Sequence, residues 1–165
     1  MGSAGWLTDD DWRWAREHLP ILCVDVLPWR DSRGGREVGL IVRTRERGGP
    51  ALTLIGGRVL HGETLAAAVR RHVAETLGER VTIELPDPAR PLDAFEYFPD
   101  ARQAPFVDPD KHAVAVTYAA RLIGEPRAGG EAERFEWHPM AALPPTERFA
   151  FGQGEVVRRL VAQLG

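Results

Sequence analysis

Apolar positions along the chain change period several times, and each change marks an element. Leu65, Val69, Val73 and Leu77 recur every fourth residue with Ala66 beside them, the spacing of a helix that buries one stripe. This predicts a helix from Glu63 to Leu77 that stops at Gly78, a residue suited to a helix C-terminus. Arg71 and Glu75 stand clear of the apolar stripe, while His72 and Thr76 sit at its border. Val156, Val157, Leu160, Val161 and Leu164 repeat the same period and predict a closing helix over Gly154 to Leu164. Near the start, Thr8 precedes Asp9, Asp10 and Asp11, an N-cap followed by first-turn acids, so a short helix is expected to run to about His18 before Pro20.

Between these helices the pattern is that of strands. Ile21 to Leu27 is an apolar run interrupted by one acid, Asp25; Asp31 to Glu37 is a turn, and Val38 to Arg43 completes a hairpin. Ala51 to Ile55 reads as a short strand running into the glycine pair Gly56-Gly57, taken here as a turn. Further strands are expected at Val81 to Leu85, Asp93 to Phe98, His112 to Ile123 and Arg134 to His138, with a turn region from Pro139 to Pro145. Pro99 to Asp110, rich in proline and acid, is expected to be a flexible loop long enough to close over a site. With no repeat and no linker, the expectation is one α+β or α/β domain over residues 1–165, a mixed sheet between helices, with residues 1–19 as an N-terminal helical arm.

Composition narrows the functional classes. A chain of 165 residues with 44% hydrophobic content can bury a substantial core. A net charge of -3 argues against a dedicated nucleic-acid binder, although clustered arginines still suit a phosphate group. Cys23, the single cysteine, is expected to be a buried thiol. The absence of a long apolar run or lipidation signal predicts a cytoplasmic protein with no membrane partner. Lys111 is the only lysine, and Met1-Gly2-Ser3 is compatible with an expression scar. Trp6, Trp12 and Trp14 are dense for so short a segment; they either pack the first helix on the domain or form a homodimer contact.

Several side chains carry candidate chemistry. Asp25 is either a satisfied structural carboxylate or an acid aimed into a pocket. Arg43, Arg45 and Arg47 alternate, which places them on one side of an extended chain as a solvated basic edge or a grip on a diphosphate. Gly56 and Gly57 let backbone approach a ligand and offer carbonyl oxygens, and Glu75 on the following helix is an oxygen donor for a hard cation such as magnesium. His72 reads as a packing residue at the stripe border, and His112 and Glu96 are reserve candidates beside the proline-rich loop.

The stretch GGRVLHGETLAAAVRRHVAETLGE, Gly56 to Glu79, resembles the Nudix box, G-x5-E-x7-R-E-U-x-E-E-x-G-U with U a bulky apolar residue. Gly57, Glu63, Arg71, Val73, Glu75 and Gly78 fall on its positions in register, while His72, Thr76 and Glu79 depart from it. The box is therefore degenerate, with Glu75 the remaining one of three helix carboxylates. The wording GGRV, ETL, AA and LG is similar to the GDP-mannose mannosyl hydrolase branch, as are Pro20 to Val26, Leu40 to Thr44 and the segment Glu131 to Trp137. The branch's histidine base aligns with Ala132, and the box glutamate it retains aligns with Thr76.

The resemblance implies a Nudix fold and a magnesium-dependent (or manganese-dependent) hydrolase of a nucleoside diphosphate linked to another group, such as a nucleotide sugar. It implies Arg43 and Arg58 as diphosphate-binding and activating residues, and Asp25 as a substrate-binding acid. Glu63 would orient the box, Arg71 would pair with box carboxylates, and the Gly57 carbonyl, Glu75 and Glu131 would hold the metal, with Glu131 also serving catalysis. The thinned acid set leaves a second expectation open: a Nudix-fold module that binds or senses a nucleotide without turnover.

Overall fold

Strand β1 (Ile21–Ser32) is the spine of the molecule because it pairs along both edges. One edge runs parallel to β7 (Ala113–Gly124), in register from Ile21 opposite Ala113 to Trp29 opposite Arg121. The other edge changes partner: Cys23 to Val26 run antiparallel to β4 (Ile55–Arg58), and Trp29 to Ser32 pair with β2 (Gly35–Arg45). β3 (Gly49–Thr53) and β8 (Arg134–Pro139) extend from β2, while β5 (Val81–Glu84) and β6 (Asp93–Tyr97) pair with β7. The result is an eight-stranded mixed sheet. This computed structural model describes residues 5–45, 48–103 and 105–165; Arg47 and Met1 to Ser3 lie outside the described residues.

The two faces of β1 explain the layers. Cys23 and Leu27 point with Leu40, Val42 and Leu52 toward helix α3 (Gln153–Leu164), which buries Val156, Val157 and Leu160, and toward Ala15 of helix α1 (Asp9–His18). Val24 and Val26 point the other way, with Ile41, Ile55 and Tyr118, onto helix α2 (Leu65–Leu77) through Ala68, Val69, Val73 and Leu77. Period-2 alternation in the strands and the four-residue stripe of α2 thus make a mixed sheet packed between helices, as expected. No helix among the described residues is long and apolar enough to cross a membrane.

Three local expectations change. α2 begins at Leu65 because the Thr64 hydroxyl accepts the Ala67 amide and caps it, which leaves Glu63 outside the helix. Gly56 and Gly57 are not a turn but the middle of strand β4, paired with Asp25 and Val24. The segment from Pro99 to Asp110 is fastened to the sheet: Phe98 donates its amide to the Phe106 carbonyl, Asp108 donates its own to the Phe98 carbonyl, and buried Phe106 meets Phe95 edge-on at 5.6 Å. Its aromatic anchor outweighs the prolines that suggested a free cover. Replacing Thr64 by alanine should cost about 1 kcal/mol in denaturant unfolding, with no change in the spectroscopic signature of the sheet.

Candidate functional site

Strand β4 is squeezed between two side chains, and its glycines are what allow it. A Cβ on Gly56 would collide with the Asp25 carboxylate and the Val24 carbonyl; one on Gly57 would lie 2.7 Å from Cε1 of His72. Gly56 therefore abuts the Asp25 side of the site and Gly57 the α2 side. Two chemically different clusters meet at adjacent residues.

On the α2 side Arg71 organises the cluster. Its Nε and Nη2 donate to the two carboxylate oxygens of Glu63 at 2.7 and 2.9 Å, a bidentate pair, and Nη2 also donates to the Arg58 carbonyl at 3.0 Å. The Leu60 amide donates to Glu63 at 3.0 Å. The Arg71 hydrogen bonds, joined by the Leu60 amide, hold the Glu63 carboxyl down at about 2. His72, one turn position on, meets the same Arg58 carbonyl through Nε2 at 3.1 Å, and burial pushes its pKa below the usual imidazole value. Glu63, Arg71 and His72 thus lock the chain after the glycine pair onto α2. Thr76 is buried in the layer beneath and presents nothing to this cluster.

On the other side Asp25 opens onto a cavity of about 100 Å³ lined also by Arg43, Tyr97, Lys111, Phe151 and Gln153. Neither carboxylate oxygen of Asp25 accepts a hydrogen bond among the described residues, so the acid faces the cavity rather than serving as a satisfied strut. Burial pushes its pKa up to about 7, against the pull of Lys111 and Arg43. Lys111 is itself paired to buried Asp108 at 2.6 Å, and Gln153 accepts the Leu54 amide at 2.8 Å while its Nε2 reaches the Tyr97 hydroxyl at 3.4 Å. Phe151, at φ 58, is held in the left-handed region at the start of α3, with the Arg43 guanidinium 5.3 Å above its ring.

The structure brings most of the expected residues to this junction. Arg43 lines the cavity and pairs with Glu131 at 2.5 Å; Arg58 follows the glycines on β4; Glu75 accepts from Arg71 at 3.3 Å. Among the described residues no three acidic, histidine or cysteine side chains gather into a closed metal cage. The donor set suits instead a hard cation shared with ligand phosphates, which needs only one or two carboxylates from the protein. Glu75 is more than half exposed and engages Arg71 through one oxygen, and Glu131 engages Arg43 through one, leaving each a second oxygen. Ala132, where the mannosyl hydrolase resemblance would put a base, is buried. His112 stacks on Phe98 at 4.3 Å beside Glu96, and neither lines the cavity.

Tyr97, Asp108, Lys111, Phe151 and Gln153 were not anticipated as site residues. Their sole sequence signal was that Lys111 is the one lysine in an arginine-rich chain. They come from three segments, at Tyr97, Asp108 to Lys111 and Phe151 to Gln153, which the β1–β7 pairing and the seating of α3 bring together.

Two pH effects follow with opposite signs. Glu63 is depressed from 4.5 to about 2, so its contribution to stability is complete above 4.5 and lost as the pH falls toward 2. Glu63→Gln should cost about 1.5–3 kcal/mol at neutral pH and flatten this acid limb in denaturant titrations. Asp25 is raised from 3.8 to about 7, so stability is lost as the pH rises across that interval and the loss persists above it. Asp25→Asn should stabilise the chain by on the order of 2 kcal/mol at about pH 8 and by much less in acid, measured the same way.

Solved structures share this architecture. A structure described as a possible asymmetric diadenosine tetraphosphate hydrolase, from Jonesia denitrificans, is 27% identical, with 88% of this chain and 95% of that one covered at a TM-score of 0.79. A MutT Nudix hydrolase from Burkholderia pseudomallei is 25% identical over 90% of this chain and all of its own, with a TM-score of 0.66. The Nudix domain of Shewanella oneidensis NrtR, solved with ADP-ribose, shares the fold at 17% identity and a TM-score of 0.61, covering 96% of this chain and all of its own. No curated protein matches the sequence. The fold is thus the Nudix fold, and a sequence match spanning residues 2–165 shows that the chain belongs to the family described as Domain of unknown function (DUF4916).

Proposed function

We propose that this protein is a hydrolase of a nucleoside diphosphate linked to another group, with a nucleotide sugar as the leading substrate class. The observation that carries the reading is the meeting at Gly56-Gly57 of the Glu63–Arg71 frame with the cavity of Asp25 and Arg43. A diphosphate entering the cavity that Gly56 and Gly57 line would find Arg43 at hand, with Arg58 next along the strand. Arg43 and Arg58 would neutralise charge that builds on the leaving phosphate. Asp25 would contact the linked group from the cavity. Glu63 and Arg71 would act by holding the strand after the glycines in place, since both are consumed in their own ion pair.

Magnesium, or manganese, would be held by the Glu75 carboxylate, the Gly57 carbonyl and Glu131, shared with the diphosphate. When bound, such an ion supplies polarisation of phosphoryl oxygens and acidification of a coordinated water. Glu131 would serve through the oxygen that its single contact with Arg43 leaves over. The similarity to Nudix hydrolases of known structure supports hydrolysis as the reaction class.

A specific observation favours a second reading, a binding or sensing module without turnover. Two of three box positions supply no carboxylate: His72 is committed to the Arg58 carbonyl and Thr76 is buried. Phosphorus NMR of a panel of nucleotide sugars and dinucleoside polyphosphates with magnesium separates the two. Turnover of at least one class supports the hydrolase, and saturable binding without turnover across the panel would establish the module instead. If turnover is found, Glu75→Gln should lower kcat at least roughly a hundredfold with substrate still bound; near-normal activity would place the metal elsewhere.

A further inference from the structure

Arg58 stands apart from the other arginines of the site. Arg43 is paired with Glu131, Arg71 with Glu63, and Arg30, beyond the site, with Glu37. The guanidinium of Arg58 makes no ion pair and no side-chain hydrogen bond among the described residues. Two indole rings hold it instead: its Cζ lies 4.5 Å from the centroid of Trp6 and 4.2 Å from that of Trp12. Partial burial, with the positive charge of Arg71 nearby, lowers its pKa from the usual guanidinium value.

Aromatic faces restrain a guanidinium without consuming its N–H donors, which lie in its own plane. A partly buried cation beside a second cation, with no acid to offset it, is a site waiting for an anion. Its backbone is fixed as well, because the Arg58 carbonyl accepts from Arg71 at 3.0 Å and meets His72 at 3.1 Å. The arm that brings Trp6 is seated on the strand's continuation: Gly5 packs so tightly that a Cβ would lie 3.0 Å from the Leu60 Cβ and 3.2 Å from the His61 carbonyl. Gly5, at φ 90, is in a conformation that suits glycine there. Trp12 is anchored differently, packed from α1 against the core beneath α3.

We propose that Trp6, with Trp12 behind it, is a positioning residue: the N-terminal arm aims the unpaired guanidinium of Arg58 at a phosphate group of the bound ligand. The arm is then part of the binding site and not an appendage. This inference rests on the diphosphate reading of the site, and it assigns to the tryptophans a role that neither core packing nor a dimer contact requires.

The test is calorimetric titration of the full chain with inorganic pyrophosphate in magnesium buffer. Arg58→Ala should weaken binding roughly tenfold. Trp6→Ala should weaken it roughly threefold, Trp6→Phe should restore most of that, and Trp6→Ala placed on Arg58→Ala should cause no further loss. Trp6 is 47% exposed, so its replacement should leave the melting temperature nearly unchanged, which separates positioning from folding. If Arg58→Ala weakens binding while Trp6→Ala matches the parent, the positioning role is overturned and the diphosphate reading stands. Equal losses from Trp6→Ala with and without Arg58 would also overturn it, since Trp6 would then act independently. A parent protein that does not bind pyrophosphate, or an Arg58→Ala variant that binds it unchanged, would overturn the phosphate role of Arg58 together with the inference.

Discussion

Close approach at Gly56 and Gly57 is the constraint on which the rest of this structure depends. β4 passes so close to the Asp25 carboxylate and the His72 ring that a Cβ at either glycine would force a neighbour to move. Pairing β4 with β1 at that distance forces the two sides of the sheet to share one short strand. On one side α2 carries a bidentate Arg71–Glu63 pair; on the other, α3 and β7 help line a cavity whose acid, Asp25, has no hydrogen-bond donor among the described residues.

Electrostatics divides the same way. The α2 cluster is closed: Glu63 is strongly ionised because Arg71 satisfies it, and the arginine's remaining donors go to the Arg58 carbonyl and Glu75. On the other side Arg43 and Lys111 are paired with Glu131 and Asp108, and two charges are open among the described residues. Asp25 is raised toward neutrality by burial, and Arg58 is left without an acid. Closed pairs hold geometry, whereas open charges have a free energy that a ligand can lower. That division suits Glu63 and Arg71 to scaffold work and leaves Asp25 and Arg58 as the charges that the proposed ligand would meet, beside Arg43 in its pair with Glu131.

Much of the fold was legible in the sequence because its signals are local. The Leu65 to Leu77 stripe, the alternation of β7 and the Thr8 cap each depend on neighbours within a few residues. The glycine pair misled for the same reason: a local rule reads Gly-Gly as a turn, but here tertiary crowding by Asp25 and His72 places it in a strand. The Nudix fold was legible in the resemblance of Gly57, Glu63, Arg71 and Glu75 to the family pattern, and the contact of Arg71 with Glu63 and Glu75 is seen in the structure. Tyr97, Lys111, Phe151 and Gln153 were not, since nothing in their own segments distinguishes a cavity lining from a core. Nor could the stacking of Trp6 and Trp12 on Arg58 be read from the sequence, because it depends on where the arm is seated.

Whether one ligand site straddles the glycine pair is read from amide NMR of isotope-labelled protein titrated with a non-hydrolysable nucleoside diphosphate analogue. With a single site there, the largest shifts fall together on Gly56, Gly57, Arg58 and Phe151, with the Trp6 indole N–H moving in step. Shifts confined to α2, or gathered on the far edge at β5, would contradict it.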